Sequence, residues 1–441
     1  MKKLAIIITH PIQYYVPVFR LLAKQCELKV FYTWGEQGVK EKYDPDFGKT
    51  IAWDLLLLDG YDYELLENIA KDPGSHHGKG IINPDIVVKL EAFAPDAILI
   101  YGYIYQSHFK VMRHFKGKTP IWFRGDSTLL DEEKKFKSIA KKFYLKWVYG
   151  FVDKAFYVGT HNKAYFEKYG LKEDQLIFAP HAIDNERFAE DRNAEVEKLR
   201  NSLNIRKEDI LILFAGKLEP KKNPTLLLEA FIQLVDKTAQ TTHQPLSPYR
   251  GEMSTGQRGA IHLLFVGNGV LEESLKSEVK SQKIKEERER KLSANHYRIT
   301  ESPNKQINEY TTNEQQSTNR IHFLDFQNQT QMPVVYQACD IFCLPSQGPG
   351  ETWGLAVNEA MAASKAIIAS DKVGCEIDLV QNDVNGYSFK SNVSEDLKGK
   401  LQQLVSEPNR IAIFGHQSKE LIQNWSFEQQ TKQFLKTLNE I

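Results

Sequence analysis

Short apolar runs alternate with helix-like segments along most of the chain. Apolar runs bounded by polar turns are typical of buried strands, and strands separated by helical segments favour a parallel α/β sheet. The first half predicts strands at Leu4 to Thr9, Leu28 to Thr33, Ala97 to Tyr101, Pro120 to Arg124, Ala155 to Val158 and Leu176 to Pro180. The second half predicts them at Ile210 to Ala215, Ile261 to Val266, Ile321 to Leu324, Ile341 to Leu344 and Ala366 to Ser370.

The alternation pauses once, in a charged and helix-prone stretch near Asp184 to Ile205. A chain of 441 residues is also too long for one ordinary hydrophobic core. We therefore predict an α/β protein with two Rossmann-like domains, residues 1–190 and 205–422. Residues 423–441 predict a helix that begins after a capping Ser426. This helix should pack on the rest of the protein, and one arrangement open to it is across to the first domain.

Two segments of the second domain lack the apolar periodicity that a packed element needs. Residues 237–259 are polar and rich in Thr, Gln, Pro and Gly, whereas residues 277–319 are a charge run followed by Asn, Gln and Thr. We predict that both are polar surface insertions.

Composition narrows the function classes. Hydrophobic residues make up 41% and charged residues 26% of the chain, as in ordinary globular proteins. Lys plus Arg and Asp plus Glu both number 57, so no global positive field favours nucleic acid as a partner. No stretch approaches the roughly 18 apolar residues of a membrane span, and Met1 to His10 predicts a first strand instead of a secretion signal. The four cysteines lack metal or disulfide spacing, so we expect buried thiols in a cytoplasmic protein.

The stretch from Pro345 to Ala363 carries the strongest functional signal. A glycine-rich loop follows the predicted strand Ile341 to Leu344, and a helix is predicted from Leu355. Glu351 therefore lies in the loop and Glu359 about one turn inside the helix, at the edge where open α/β sheets bind ligands. Carboxylates accept hydrogen bonds from sugar hydroxyls, and amides at a helix start bind phosphate. The pair suits a nucleotide-linked sugar, although two unrelated surface glutamates would give the same pattern.

A second candidate anion site follows the strand Ile210 to Ala215. Gly216 allows a close turn of the backbone, and a helix start is marked by Pro224. Lys217 and Lys222 lie between them, where a diphosphate would meet helix amides. Two solvated lysines at a helix entry are the alternative, and the nearby carboxylate pair favours the diphosphate site.

Five segments in a fixed order resemble the successive motifs of the family 4 retaining glycosyltransferases, the glycosyl transferases group 1. They are Gly216 to Asn223, Leu264 to Gly269, Ile321 to Leu324, Ile341 to Ser346 and Glu351 to Glu359. Residues 179–188 are similar to the segment that closes the family's first domain. The resemblance is strong over about 205–440 and weaker, but continuous, over 1–190.

The resemblance implies a GT-B fold, in which two Rossmann-like domains face a cleft, the second holding the nucleotide sugar and the first the acceptor. It implies that Lys217 and Lys222 hold the diphosphate as catalytic residues. Glu351 would contact the transferred sugar, and Glu359 the ribose hydroxyls. The remaining donor-binding residues that it implies are Gly216, Phe326, Trp353, Gly354 and Leu355. The lysine at 217, where the family usually has arginine, keeps the charge but loses bidentate geometry.

The first domain departs from the family pattern. Thr9 to Pro17 stands where family members often have a glycine-rich loop, and Trp122 to Thr128 stands where they often have a histidine near the sugar. Four candidates follow from this domain: His10, Arg124, Asp126 and His181. Asp126 is predicted to be catalytic, and the other three to lie in the cleft on the acceptor side. Structural roles stay open as alternatives, an ion pair for Arg124 and Asp126 and a buried imidazole for His181.

The predicted function is that of a retaining glycosyltransferase. It would move a sugar from a nucleotide-diphosphate sugar to a glycan or lipid-linked acceptor in surface polysaccharide biosynthesis. The alternatives are a GT-B protein that binds nucleotide sugars without transferring them and a GT-B epimerase. No cofactor is expected besides the donor itself. Asp44 and Asp46 form a weak D-x-D metal motif in a turn-rich stretch away from the donor motifs, and no metal is expected.

Residues 132–149 predict a basic amphipathic helix. Phe136, Ile139, Phe143 and Trp147 lie on one stripe, with lysines elsewhere around the helix. Such a helix can contact an anionic membrane peripherally, at its inner face, which would suit a lipid-linked acceptor. The commoner alternative is that the stripe packs in the core of the first domain.

Overall fold

The structure is a computed structural model that describes residues 1–39, 42–44, 49–51, 54–132, 136–241, 259–300 and 317–441. Asp46 of the D-x-D motif lies outside the described residues, as do residues 242–258 and 301–316 of the two polar segments. Across the described ranges, none of the helices is both long and apolar enough to span a bilayer.

The first domain is a seven-stranded parallel sheet with helices on both faces. Its strands and the small antiparallel pair β3–β4 are β1 Lys3–Ile8, β2 Glu27–Tyr32, β3 Lys42–Asp44, β4 Lys49–Ile51, β5 Asp62–Leu65, β6 Ala97–Tyr101, β7 Ile121–Arg124, β8 Lys154–Tyr157 and β9 Leu176–Phe178. The order in the sheet is β5-β2-β1-β6-β7-β8-β9. The helices up to the domain junction are α1 Val16–Ala23, α2 Ile86–Phe93, α3 Gln106–Phe115, α4 Phe136–Tyr149, α5 Thr160–Lys168, α6 Asn185–Ala189 and α7 Asn193–Ser202.

The second domain repeats this plan with six parallel strands in the order β12-β11-β10-β13-β14-β15. The strands are β10 Ile210–Ala215, β11 Ile261–Val266, β12 Ile321–Leu324, β13 Ile341–Leu344, β14 Ala366–Ser370 and β15 Gly386–Phe389. The helices are α8 Pro224–Thr241, α9 Glu272–Thr300, α10 Met332–Ala338, α11 Leu355–Ala362, α12 Glu376–Leu379, α13 Ser394–Ser406, α14 Pro408–Ile422 and α15 Phe427–Asn439.

The central strands are apolar throughout because each sheet is covered on both faces. Successive residues of a strand point to opposite faces, and those of β1 alternate between two separate cores. Leu4, Ile6 and Ile8 join one core, whereas Ala5 and Ile7 join the other. The two parallel-sheet domains of the predicted GT-B fold are therefore confirmed.

The sequence missed two edge strands and one long helix. Both strands lie at sheet edges and lack a continuous apolar run: β5 is polar and only partly buried, whereas β15 contains Gly386 and Ser388 but is mostly buried. Helix α9 runs from Glu272 to Thr300 and therefore includes the charged run, which the sequence predicts to be part of a polar insertion. Its described side chains beyond Ser281 are mostly exposed, which explains the absence of an apolar face in the sequence.

Helix α4 does not bury the stripe that the sequence singled out. Ile139, Phe143 and Trp147 are 55%, 73% and 51% exposed. A different face of the helix, with Leu145 and Val148, packs in the same core as Ala5 and Ile7 of β1. The interpretation of the stripe as core is therefore wrong for these three residues, and the reason is that the helix has two apolar faces.

The last helix returns to the first domain. Ser426 Oγ accepts a hydrogen bond from the Gln429 amide, so this serine caps α15. Phe427, Phe434 and Leu438 join a core of the first domain. The chain therefore crosses between the domains twice.

Removing the aromatic ring of Phe434 should loosen this attachment. Phe434 is fully buried, with its ring centroid 4.5 Å from that of Phe156, so Phe434→Ala should lower the free energy of unfolding by about 3–5 kcal/mol. Urea denaturation followed by fluorescence measures the change. The matched control is Phe143→Ala on the exposed face of α4, with an expected change of about 0.5 kcal/mol or less. Equal effects of the two substitutions would contradict the packing of α15.

Candidate active site

Each sheet has one place where the strand order reverses. In the second domain β10 lies between β11 and β13, and in the first domain β1 lies between β2 and β6. The chains leaving two such neighbouring strands go to opposite sides, which opens a crevice at their carboxyl ends where ligands bind. The loops after β10 and β13 contain all the predicted lysines and Glu351, so the sequence candidates converge on this crevice.

Lys222 and Glu351 form an ion pair across that crevice. The Lys222 ammonium contacts Glu351 Oε2, and the same oxygen accepts a hydrogen bond of 3.0 Å from Ser346 Oγ. The side chains of Lys222 and Glu351 are only 17% and 8% exposed, so solvent screens their interaction weakly. A cation that can bind phosphate therefore lies in contact with a carboxylate that can bind sugar hydroxyls.

The loop after β10 provides the other predicted diphosphate residue. Gly216 comes directly after the strand with a φ of +153°, a value that favours glycine, and the half-buried Lys217 follows it. The backbone amide of Gln347 donates to the Lys221 carbonyl at 2.8 Å. This bond ties the loop after β10 to the loop after β13.

The start of helix α11 is built for close approach. Gly354 is its N-cap with a φ of +96°, and a Cβ at this position would lie 2.7 Å from Val373 Cγ1. Leu355 is the first helical residue, so its amide belongs to the helix start that favours anions. The Trp353 side chain is buried and donates from Nε1 to Asn358 Oδ1 at 2.9 Å, which fixes the loop before the helix.

Glu359 is buried and held by two tyrosines. Tyr14 donates to Oε1 at 3.0 Å and Tyr336 donates to Oε2 at 2.8 Å. Burial raises the pKa of the Glu359 carboxyl, and the two hydroxyls and the charge of Arg187 oppose that rise. Both carboxylate oxygens therefore already bind hydroxyl groups of the kind that a ribose offers.

The turn at Phe326 is fixed by one asparagine. Asn268 Oδ1 accepts from the Phe326 amide at 2.9 Å, and its Nδ2 donates to Asp325 Oδ1 at 3.1 Å. The half-buried Phe326 follows the end of β12, at the same sheet edge as the loops after β10 and β13.

Asp126 of the first domain reaches the donor loop. Thr352, the neighbour of Glu351, donates from Oγ1 to Asp126 Oδ2 at 2.8 Å. Asp131 accepts from the Gly350 amide at 2.8 Å. The segment after β7 therefore contacts the glycine-rich loop of the second domain at two points.

Arg124 and His181 are buried beneath this contact. Arg124 is 1% exposed and donates to the carbonyls of Ala179 and Pro180 at 2.8 and 3.2 Å, in place of the ion pair with Asp126 that the sequence suggested. Burial, with a smaller contribution from Arg124, lowers the pKa of His181 to about 3, so this imidazole is neutral near pH 7. Its ring stacks on Tyr15 with centroids 5.8 Å apart. In this conformation Arg124 supports the backbone, His181 packs between aromatic rings, and both side chains are buried.

His10 lies in the loop after β1. Its Nδ1 is 2.8 Å from Thr9 Oγ1, and its half-buried ring meets Trp34 edge-on with centroids 5.5 Å apart. The structure places His10 just after β1, at the reversal point of the first sheet, and its acceptor-side role stays a prediction.

Sequence reasoning missed several residues of this site: Tyr14, Asn268, Tyr336, Ser346 and Thr352. Ser346 lies within the stretch already singled out, so a search for donors to the Glu351 carboxylate could have found it. Thr352 is next to Glu351 but donates to Asp126 of the first domain, and no local signal indicates that partner. Tyr14 lies 345 positions from Glu359, and no local signal connects the two.

A family profile and several curated glycosyltransferases are similar in sequence to this chain. The profile of the glycosyl transferases group 1 matches residues 195–421, just over half of the chain. A D-inositol 3-phosphate glycosyltransferase of Rhodococcus erythropolis is 24% identical over 60% of this chain and 48% of its own length. A lipopolysaccharide 1,2-N-acetylglucosaminetransferase of Salmonella typhimurium is 27% identical over 61% of this chain and 59% of its own. The chain thus spans about half the length of these curated relatives.

Solved structures share the fold over the whole chain. The structure of Anabaena Alr3699/HepE in complex with UDP and glucose is 16% identical, with a TM-score of 0.64 and coverage of 100% of both chains. A sucrose-phosphate synthase of Thermosynechococcus elongatus is 15% identical, with the same TM-score and coverage of 100% and 99%. With the matched profile, the two-sheet fold and the ordered donor-loop motifs, the chain belongs to the glycosyl transferases group 1 family.

Proposed function

We propose that this protein is a retaining glycosyltransferase that moves a sugar from a nucleoside diphosphate sugar to a glycan or lipid-linked acceptor. The observation that carries this proposal is the Lys222–Glu351 pair at the strand reversal of the second sheet. A phosphate group bound to Lys222 would lie next to a hydroxyl bound to Glu351. The bond that a glycosyltransferase breaks in its donor joins these two groups, the phosphate and the sugar.

Breaking that bond leaves negative charge on the departing diphosphate and positive charge on the sugar. Lys217, Lys222 and the amides at the start of α11 would stabilise the diphosphate, and preorganised stabilisation of this kind is usually the largest catalytic contribution. The acceptor hydroxyl attacks the anomeric carbon and its proton passes to the leaving phosphate oxygen. In this scheme Asp126 acts through Thr352 to hold the donor loop against the first domain.

The nucleoside would lie between Glu359 and Phe326. The ribose hydroxyls would replace the tyrosine hydroxyls on Glu359. Phe326 would flank the base, supported by the rigid turn at Asn268. The presence of UDP in the similar Anabaena structure supports a uridine diphosphate sugar as the donor.

The acceptor would enter from the first domain, at the loops after β1 and β7. A relative that acts on lipopolysaccharide supports a role in the assembly of surface polysaccharide. The exposed face of α4 supports a peripheral position at the inner face of the membrane. Lys142 and Lys146 are exposed on the same helix as Phe143 and Trp147, a combination that binds anionic lipid surfaces.

The central test measures transfer with the phosphate cation removed. A thermal-shift panel of UDP, GDP, ADP and their sugars first identifies the donor, because ligands of the folded state raise its apparent stability. Lys222→Met should then lower kcat by about 10²- to 10³-fold, and Glu351→Gln should lower it as well while keeping the side-chain shape. Lys221→Met is the matched control, since the more exposed Lys221 pairs with Glu219 at 3.4 Å and should tolerate the change.

Three outcomes would contradict the transferase proposal. Full activity of Lys222→Met or of Glu351→Gln would remove that residue from the mechanism. Nucleotide binding without turnover of any donor would indicate a binding protein. Conversion of the donor into its epimer without transfer would indicate an epimerase.

A stability profile over pH tests the buried state of Glu359. The pKa of Glu359 is raised in the folded protein. Between the ordinary pKa of glutamate and this raised pKa, the folded state therefore holds a proton that the unfolded chain has lost. Wild type should therefore be most stable, relative to Glu359→Gln, below the ordinary pKa of glutamate, and it should lose that advantage as the pH rises through the folded pKa. Urea denaturation from pH 4 to pH 8 measures the difference. Glu273→Gln, at an exposed position, is the control, and its stability difference from wild type should not change with pH. A stability difference between wild type and Glu359→Gln that is equally independent of pH would contradict the raised pKa of Glu359.

Vesicle sedimentation tests the membrane contact. The protein should co-sediment with vesicles that contain anionic lipid and much less with neutral ones. Phe143→Ser combined with Trp147→Ser should weaken the binding, because both rings are exposed in the structure and available for insertion. Ile413→Ser, at a 59% exposed residue of the second domain, is the control. Unchanged binding of the double variant would exclude this face of α4.

A further inference from the structure

The loop that follows β5 brings two histidines and an aspartate together outside the donor site. His77 Nε2 lies 3.1 Å from Asp72 Oδ2, and His76 Nε2 lies 3.5 Å from the same oxygen. Among the residues that the structure describes, this is the one group of three His, Cys, Asp or Glu side chains with ligand atoms all within 4.8 Å of one another. None of these three residues belongs to the donor site or to the family motifs.

The two histidine–aspartate distances suit a tetrahedral ion. Zinc binds imidazole nitrogen and carboxylate oxygen at about 2.0–2.1 Å, so two ligand atoms of a tetrahedral site are about 3.3 Å apart. The His77–Asp72 and His76–Asp72 separations of 3.1 and 3.5 Å lie on either side of that value. The two imidazole rings are nearly perpendicular, at 84°, with centroids 4.5 Å apart, so they approach the carboxylate from different directions. An ordinary histidine–aspartate ion pair needs only one of them.

The backbone of the loop is fixed before any ion binds. The Gly74 amide donates to the Gly80 carbonyl and the Gly80 amide donates to the His77 carbonyl, both at 3.1 Å. A Cβ on Gly80 would lie 2.1 Å from the Gly74 carbonyl oxygen, so only glycine permits this closure. Tyr105 anchors the far side by donating to the Ser75 carbonyl at 3.0 Å. Such a loop loses little conformational entropy on binding an ion.

We propose that Asp72, His76 and His77 form a binding site for a divalent transition cation of the zinc type. Two imidazoles and one carboxylate favour zinc, cobalt, nickel or copper over magnesium and calcium, which prefer oxygen ligands. Water would complete the coordination sphere, because the chain supplies three ligands at an exposed position. This site is independent of the transferase proposal.

The position of the site gives it a consequence for the first domain. His77 also lines a cavity of about 380 Å³ together with Lys79, Tyr103 and Tyr144. A bound cation would add positive charge at the edge of this cavity and tie its loop to one conformation. Metal binding should therefore raise the thermal midpoint of the whole protein.

The experiment uses the full chain without a histidine tag, since a tag would bind the same ions. After treatment with EDTA and dialysis, calorimetric titration with zinc should show one ion per chain, and magnesium should show no binding. Asp72→Asn should weaken the zinc affinity by at least about tenfold, and His76→Ala combined with His77→Ala should abolish binding. His114→Ala is the control, because His114 is a similarly accessible histidine paired with a single carboxylate, Glu91, at 2.8 Å. This control should leave the stoichiometry and affinity unchanged.

Cobalt substitution provides a readout that does not depend on affinity. The visible spectrum of the cobalt-loaded protein should show bands of low-symmetry nitrogen and oxygen coordination, and they should be absent in the double histidine variant. All variants should unfold near the wild-type urea midpoint without metal, because Asp72 and His76 are exposed and His77 is only half-buried. Zinc binding that persists in the double variant, or a stoichiometry well below one in wild type, would overturn the proposal.

Discussion

In both sheets the chain grows outward in two directions from a central strand, β1 in the first domain and β10 in the second. This reversal constrains where a ligand can bind, because helices cover the faces of the sheets and the connections diverge at the carboxyl ends of the strands, which opens a crevice there. It explains why residues far apart in sequence meet, such as Lys222 after β10 and Glu351 after β13. It also explains why the first domain contributes the loops after β1 and β7 to the same cleft.

The charged groups of this cleft are already paired with groups that resemble parts of a ligand. Removing a carboxylate from water costs several kcal/mol unless a partner compensates, so neither Glu351 nor Glu359 could be so well buried alone. Lys222 compensates the first, and the hydroxyls of Tyr14 and Tyr336 compensate the second. A nucleotide sugar would therefore exchange partners with a preformed polar network instead of creating one. Such an exchange keeps the desolvation already achieved during folding.

The sequence was sufficient for the buried strands and for the donor loops, because continuous apolar runs and glycine-rich turns are local signals. It was insufficient where a continuous apolar run is missing or where two such patterns compete. Strands β5 and β15 lie at sheet edges and lack the apolar run of a central strand. The side chains of α4 form two apolar stripes, and periodicity alone could not tell which one faces the core. Tyr14 and Arg124 depend on contacts with distant segments, so their partners appear only in three dimensions.

The loop after β1 in the first domain has a physical consequence for the second domain. This loop contains Tyr14 and Tyr15, and Tyr14 donates a hydrogen bond directly to Glu359. The donor loop is held from the same side through Thr352 and Gly350. The proposed nucleotide pocket is thus partly built by the first domain, so a substitution after β1 would change donor affinity without touching the second domain.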